Sequence, residues 1–332
     1  MGHRKVHAPK RGSLAYLPRA RAKRWRARIR HWPEAEGKPK LSAFSGYKAG
    51  MTHLITIDNR KGSFTFGKEI VLPVTVIDSP PLMVCAIRAY EQGYAGLRTL
   101  TEAWAQNLPK DLSRVLTLPK TPATEEALGK IENSLEKVRE IRVLAATQPR
   151  LAGAPRKAPE IIEVRVSGGT VKEQLEYTKS VLGKEVKSSE VFQEGQWVDV
   201  AGISKGKGIQ GPVKRWGIRI LSHKSRKTVR GVGSIGPWTP AYVMYTVPRA
   251  GQMGFHQRTA YSQQIVKIGE DGTEVSPKGG YIRYGPVNGS YLMLAGSVPG
   301  PARRLVTLRY PTRAQPALGT PPKIEHLSLQ AE

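Results

Sequence analysis

Acidic residues are missing from one long stretch: between Ala201 and Gly269 there is no Asp and no Glu. Cysteine is almost absent, Cys85 being the only one. That excludes a disulfide framework or a cysteine-based zinc site within the chain, and makes a reducing, cytoplasmic setting the default. Long apolar runs are lacking too. The longest, such as Ile70–Ile77, have the length of strands, so nothing spans a bilayer and no membrane partner is expected. No apolar segment follows the basic N-terminus, so no secretory signal is expected. The seven histidines (His3, His7, His31, His53, His223, His256 and His326) show no metal-ligand spacing. Ser234 sits in Gly-Ser-Ile-Gly rather than a nucleophile elbow. Gly202–Gly208 has the wrong spacing for a phosphate loop, and its second lysine precedes Gly208 instead of Ser or Thr. With no paired carboxylates in the acid-free stretch, no catalytic residue, metal, cofactor or small-molecule substrate is expected.

What the chain has in excess is positive charge. Its 332 residues carry a formal net charge of +27, yet 39% are hydrophobic, enough for a genuine core. An excess of this size implies a nucleic-acid partner. In the acid-free stretch Trp216, Trp238, Tyr242, Tyr245, Phe255 and Tyr261 are interleaved with lysines and arginines, and glycines and prolines interrupt it at short intervals. So polar and broken a segment cannot bury a core of its own. Its like charges repel, so it needs a polyanion to hold a shape, and its planar side chains need faces to stack on. Irregular or single-stranded RNA meets both needs.

Taken in order, residues 1–40 read as a basic N-terminal extension, with Glu34 and Glu36 its only acids. Prolines rule out a long helix there, although Arg19–His31 could form a short one. Trp25 and Trp32 are expected to pack on the body or on bases. From Leu41 the composition is that of a folded domain. Ser42–Thr52 reads as a glycine-containing turn into a strand, and Leu54–Asp58, Lys68–Ile77 and Leu82–Ala89 as strands, with Pro73 marking an edge or bulge. Residues 91–190 read as an α/β insertion: a helix over Thr121–Glu140 with Leu128, Ile131, Leu135 and Val138 on one face, strands at Arg142–Thr147 and Ile161–Val166, and a helix over Val171–Leu182 stopped by Gly183. Gln196–Val200, Gln264–Gly269, Tyr281–Tyr284, Tyr291–Ser297 and Arg303–Arg309 read as strands, and Pro311–Pro322 as an extended tail. The fold expected is mixed: an antiparallel β-barrel assembled from residues 41–90, 191–202 and 266–332, interrupted by the α/β insertion and by a long basic finger over 203–265.

Several runs carry a resemblance. Gly231–Met244 reads Gly-Val-Gly-Ser-Ile-Gly-Pro-Trp-Thr-Pro-Ala-Tyr-Val-Met, and Arg249-Ala-Gly-Gln-Met-Gly254 follows. These resemble the signature of the universal large-subunit ribosomal protein family "L three". Gly2–Leu14 and Gly211-Pro-Val-Lys-Arg-Trp-Gly217 resemble its archaeal and eukaryotic form, as does the insertion. The resemblance implies a translation-protein-type β-barrel, with finger and arm reaching through ribosomal RNA toward the peptidyl transferase region. It implies binding near the 3′ end of 23S-type RNA, an early role in subunit assembly, and ribosomal proteins L fourteen and L twenty-four e as neighbours. Trp238 resembles the family's fingertip tryptophan. Val229 stands where eukaryotic members carry a methylated histidine, and Pro237-Trp238 departs from the bacterial pattern with its modified glutamine, so neither modification is expected.

The candidate RNA contacts are Arg4, Lys5, Lys10, Arg11, Arg19, Arg21, Arg24, Arg26 and Arg28 in the arm. In the finger they are Lys205, Lys207, Lys214, Arg215, Trp216, Arg219, His223, Lys224, Arg226, Lys227, Arg230, Trp238, Arg249, His256 and Arg258. The cations would neutralise phosphates. Trp238 is expected on an exposed tip, and Trp216 either stacks on a base or anchors the finger's root. The alternative functions are a translation-associated RNA-binding or RNA-modifying factor, against which the missing catalytic set counts, and a DNA-compacting protein, which would not need stacked aromatics among glycine turns.

Overall fold

The computed structural model describes residues 12–35, 37–60, 62–119, 122–153, 156–313 and 321–329. In chain order its strands are β1 (Lys40–Leu41), β2 (Ala43–Ile57), β3 (Glu69–Asp78), β4 (Leu82–Gly93), β5 (Gly96–Trp104), β6 (Val138–Ala146), β7 (Ile161–Ser167), β8 (Glu185–Val186), β9 (Trp197–Ile203), β10 (Gly206–Gln210), β11 (Gly251–Gly254), β12 (Gln257–Gly269), β13 (Tyr291–Ala295), β14 (Leu305–Arg309) and β15 (Ile324–Leu327). The α-helices are α1 (Thr124–Asn133), α2 (Val171–Val181), α3 (Ser188–Val191) and α4 (Pro212–Trp216). The chain divides into two compact units, Trp25–Gly202 with Arg258–Glu332, and Met1–Arg24 with Ile203–Gln257.

The larger unit holds two antiparallel sheets. In the seven-stranded one the order is β14-β9-β12-β13-β3-β2-β15, and β14 pairs with β2 as well as with β9. β2 is the hub: Ala43–Tyr47 pairs with β14, Leu54–Thr56 with β15, and Tyr47–Ile57 with β3. Its residues Phe44, Tyr47 and Leu54 are fully buried and belong to one apolar cluster with Val76, Val200, Leu294 and Leu308. The glycine-containing turn expected over Ser42–Thr52 is instead the first two thirds of this strand. Gly50 does not turn the chain; the Tyr281 ring lies where its side chain would stand. Pro73 lies on an interior strand, and the β3–β2 register shift falls between Lys48 and Gly50, not beside it. It sits one residue past the last β13 pair, Ala295 with Val74, so its missing N–H falls where that partner strand has ended.

The other sheet runs β1-β7-β6-β4-β5, with β8 on β4. Period-two alternation gives it two unlike faces. Ile87, Ala89, Ala103 and Ile141 form a core with Ile131 of α1 and Leu175 of α2. The four residues expected on one helical face all join this core, but α1 ends at Asn133; Leu135 lies in a 3-10 turn and Val138 already begins β6. Thr121, the expected cap, lies outside the described residues, and Thr124 donates to the Trp104 carbonyl at 2.6 Å. α2 is capped as a box, the Thr170 side chain accepting from Glu173 N and Glu173 accepting from Thr170 N. On the opposite face Arg88, Arg142 and Arg165 stand in one register row. Like charges placed so repel, and Glu102, Glu140 and Glu163 bridge them at 2.8–3.7 Å. The boundary expected between residues 90 and 91 falls inside β4, which belongs wholly to this sheet.

Three further expectations differ. Arg19–His31 forms no helix; Arg24 with Arg28 and Arg26 with Arg30 would set like charges one helical turn apart, and Ala22 N donates to Phe255 O instead. Tyr281–Tyr284 is a turn closed by a bridge to Gly285, with the Tyr284 hydroxyl donating to buried Asp78 at 2.7 Å. Of the expected tail Pro311–Pro322, residues 314–320 lie outside the described residues, and β15 follows on β2.

Candidate nucleic-acid interface

Sequence segments 1–24 and 203–257 hold eighteen of the 53 Lys and Arg and none of the 26 Asp and Glu, so the smaller unit carries +18 of the chain's +27. Its cations have no carboxylate of their own unit to pair with. None of the three apolar core clusters includes any of its described residues. It is held by a polar knot instead.

That knot begins at α4, where Pro212 occupies the first turn and suits a fixed backbone angle. The helix delivers Trp216 to a buried position, 6% exposed. The indole Nε1 donates to Arg249 O at 3.1 Å, and Arg215 donates to Arg249 O at 3.0 Å and to Gln252 O at 2.9 Å. The two legs flanking loop 217–250 are thereby tied together. They are also paired as the β10–β11 ribbon, where Gly254 (φ +72°) brings its backbone so close to Lys205 O that a side chain has no room. A segment of the arm completes the knot. The Arg19 guanidinium lies 3.6 Å from the Trp216 ring centroid and donates to Arg215 O at 2.6 Å. The His256 Nδ1 is 2.9 Å from Ala20 O. Arg19, Arg215, Trp216 and His256 therefore face the unit's own interior, and of the two expectations for Trp216 its placement matches the anchor.

Residues 217–250 contain no regular helix or strand. Lys214, Arg219, His223, Lys224, Arg226, Lys227, Arg230 and Arg249 are exposed along or beside this loop, as are Lys205 and Lys207 on the ribbon and Arg21 and Arg24 in the arm. Trp238 is 93% exposed. Tyr242 and Tyr245, at 70% and 76%, follow it along the loop and were not among the expected contacts; the run Ala-Tyr-Val-Met-Tyr after Pro240, apolar yet bounded by turn residues, was the available signal. Arg26, Arg28 and Arg258 belong to the larger unit, Arg28 exposed and the other two half-buried. Arg4, Lys5, Lys10 and Arg11 lie outside the described residues. Among the described residues no group of three or more His, Cys, Asp or Glu is placed to hold a metal ion, and no helix is long and apolar enough to cross a membrane.

The family described as Ribosomal protein L3 matches residues 1–329. The chain belongs to that family. Among its relatives are proteins called large ribosomal subunit protein uL3. The one from Methanococcoides burtonii is 49% identical over 331 residues, covering 98% of each chain. That of Archaeoglobus fulgidus is 50% identical over 309 residues, covering 92% of each, and that of Methanocaldococcus jannaschii 48% over 328, covering 97% of each. Family membership extends over both units, acid-free knot and double-sheet body alike.

Proposed function

We propose that this chain is a structural constituent of the large ribosomal subunit, a primary binder of ribosomal RNA and not an enzyme, residing on the ribosome in the cytoplasm. The observation that carries this reading is the acid-free unit: +18 of charge, exposed aromatics at its loop, and a root held by Trp216 and Arg19. Residues 203–265 act as the finger and 1–40 as the arm. Their exposed cations neutralise phosphates, and Trp238, Tyr242 and Tyr245 offer faces to unpaired bases. Trp216, Arg215, Arg19 and His256 serve from behind, holding the root of the loop in one shape. The body is a translation-type barrel; the return of β14 pairing to β2 supports that reading. The RNA partner is of 23S type, bound near its 3′ end early in assembly, with the finger directed toward the peptidyl transferase centre and proteins L fourteen and L twenty-four e as neighbours.

Crosslinking of intact large subunits, read out by residue and by nucleotide, tests this. RNA adducts at residues 219–245 support it. Failure of the chain to co-sediment with large subunits in moderate salt refutes it.

A further inference from the structure

Outside the acid-free unit, one element reproduces its chemistry in small. The hairpin joining β2 to β3 reads Arg-Lys-Gly-Ser-Phe-Thr-Phe-Gly-Lys over residues 60–68. Phe64 is 103% exposed and Phe66 55%. Single exposed apolar side chains need no explanation, but these two stand within three residues on a turn, 63–68, that is tied by hydrogen bonds. Asp58 N donates to Lys68 O at 2.9 Å and Gly67 N to Asp58 O at 2.8 Å, closing the hairpin, and Phe66 N donates to Ser63 O at 3.1 Å. The Asp58 side chain, 1% exposed, accepts from Arg60 Nε at 2.9 Å and from the Thr65 hydroxyl at 2.5 Å. The acid of the loop is thus turned inward and saturated, while Lys68 is exposed, with Glu69 beside it the nearest outward acid.

We propose that the β2–β3 hairpin is a second RNA-contacting element, with Phe64 a stacking platform for an unpaired base and Lys68 a phosphate contact. A preformed loop loses little conformational freedom when it binds, and a phenyl face accepts any base. The other hairpin tip with a fully exposed aromatic, Tyr94 between β4 and β5, lacks this combination, because its cation Arg98 is paired with Glu91 at 2.5 Å. The inference rests on the RNA-binding reading above.

The test places a photocrosslinking amino acid at position 64 of the full chain, and separately at position 238, in assembled large subunits. RNA adducts from both positions are expected. Adducts from 238 with only protein adducts, or none, from 64 overturn the hairpin proposal and leave the function standing. No RNA adduct from either overturns both. In parallel, Phe64→Ala in the full chain weakens binding to 23S-type RNA about fivefold to a hundredfold, with the salt slope unchanged, and Phe64→Trp restores it. Because the ring touches little, the fold is unaffected. Unchanged affinity in Phe64→Ala overturns the proposal.

Discussion

Arginine has opposite surroundings in the two units. On the six-stranded sheet Arg88, Arg142 and Arg165 are interleaved with Glu102, Glu140 and Glu163, and the charge is spent internally. In the smaller unit there is no acid to meet, so Arg19 and Arg215 turn to an indole face and to carbonyl oxygens, and the other described Lys and Arg are exposed. Neutralised arginine consolidates a sheet; arginine without a counter-charge in its own unit either braces a loop's root or is left exposed. The larger unit has apolar clusters to fall back on, and the smaller one depends on a few directed contacts around Trp216.

The largest expected effect follows from that dependence. Trp216→Ala removes the indole at the centre of the knot and costs about 3–5 kcal/mol of local packing. Limited proteolysis of the full chain then cuts within 203–257, while the main melting transition, set by the larger unit, shifts little. A matching fall of that transition would erase the distinction between the units. Arg19→Ala comes next, at about 1–2 kcal/mol for the lost ring contact and hydrogen bond. Arg19→Lys keeps the charge but not the planar stack, so it loosens the loop without changing the salt slope. Replacing Lys224, Arg226, Lys227 and Arg230 with Gln leaves stability unchanged and lowers the salt slope of RNA binding by about 0.7–0.9 per phosphate no longer neutralised. The smallest effect is on pH. Arg60 and Thr65 hold the Asp58 carboxyl well below the usual carboxylate range, and Arg150 and Arg114 hold Asp111 at about 2. Depressed carboxyl groups stabilise the fold above the unfolded value near about 4, and that contribution fades as pH falls below it. Hydrogen exchange, corrected for its intrinsic pH dependence, should therefore rise first around residues 58–68 and 111–150. No carboxylate exists in 203–257 to respond, and equal loosening there would contradict the contrast.

Sequence reasoning located the strands whose β-branched runs end at turn residues, and it found the charge. It missed β5, a run with two Thr but no Val or Ile that becomes a strand through pairing with β4 and packing on α1. It missed the ribbon β10–β11, because Gly-Lys-Gly runs have little strand preference until a partner lies alongside. It overestimated a helix at Arg19–His31, where local spacing allowed a turn but like charges one turn apart opposed it. Least legible was direction: nothing in the order of residues says that Arg19 lies over an indole whereas Arg21 faces water. That is decided by contacts nearly two hundred positions apart.

One consequence of β2 concerns synthesis. Every partner of the six-stranded sheet has been translated by Val186, so that layer can assemble while the ribosome is still at work. The first part of β2 must wait for residues 305–309 before its far edge is covered, and its last part for 324–327. Until then a fifteen-residue strand stands half-dressed, the kind of segment that recruits chaperones and adheres to other nascent chains.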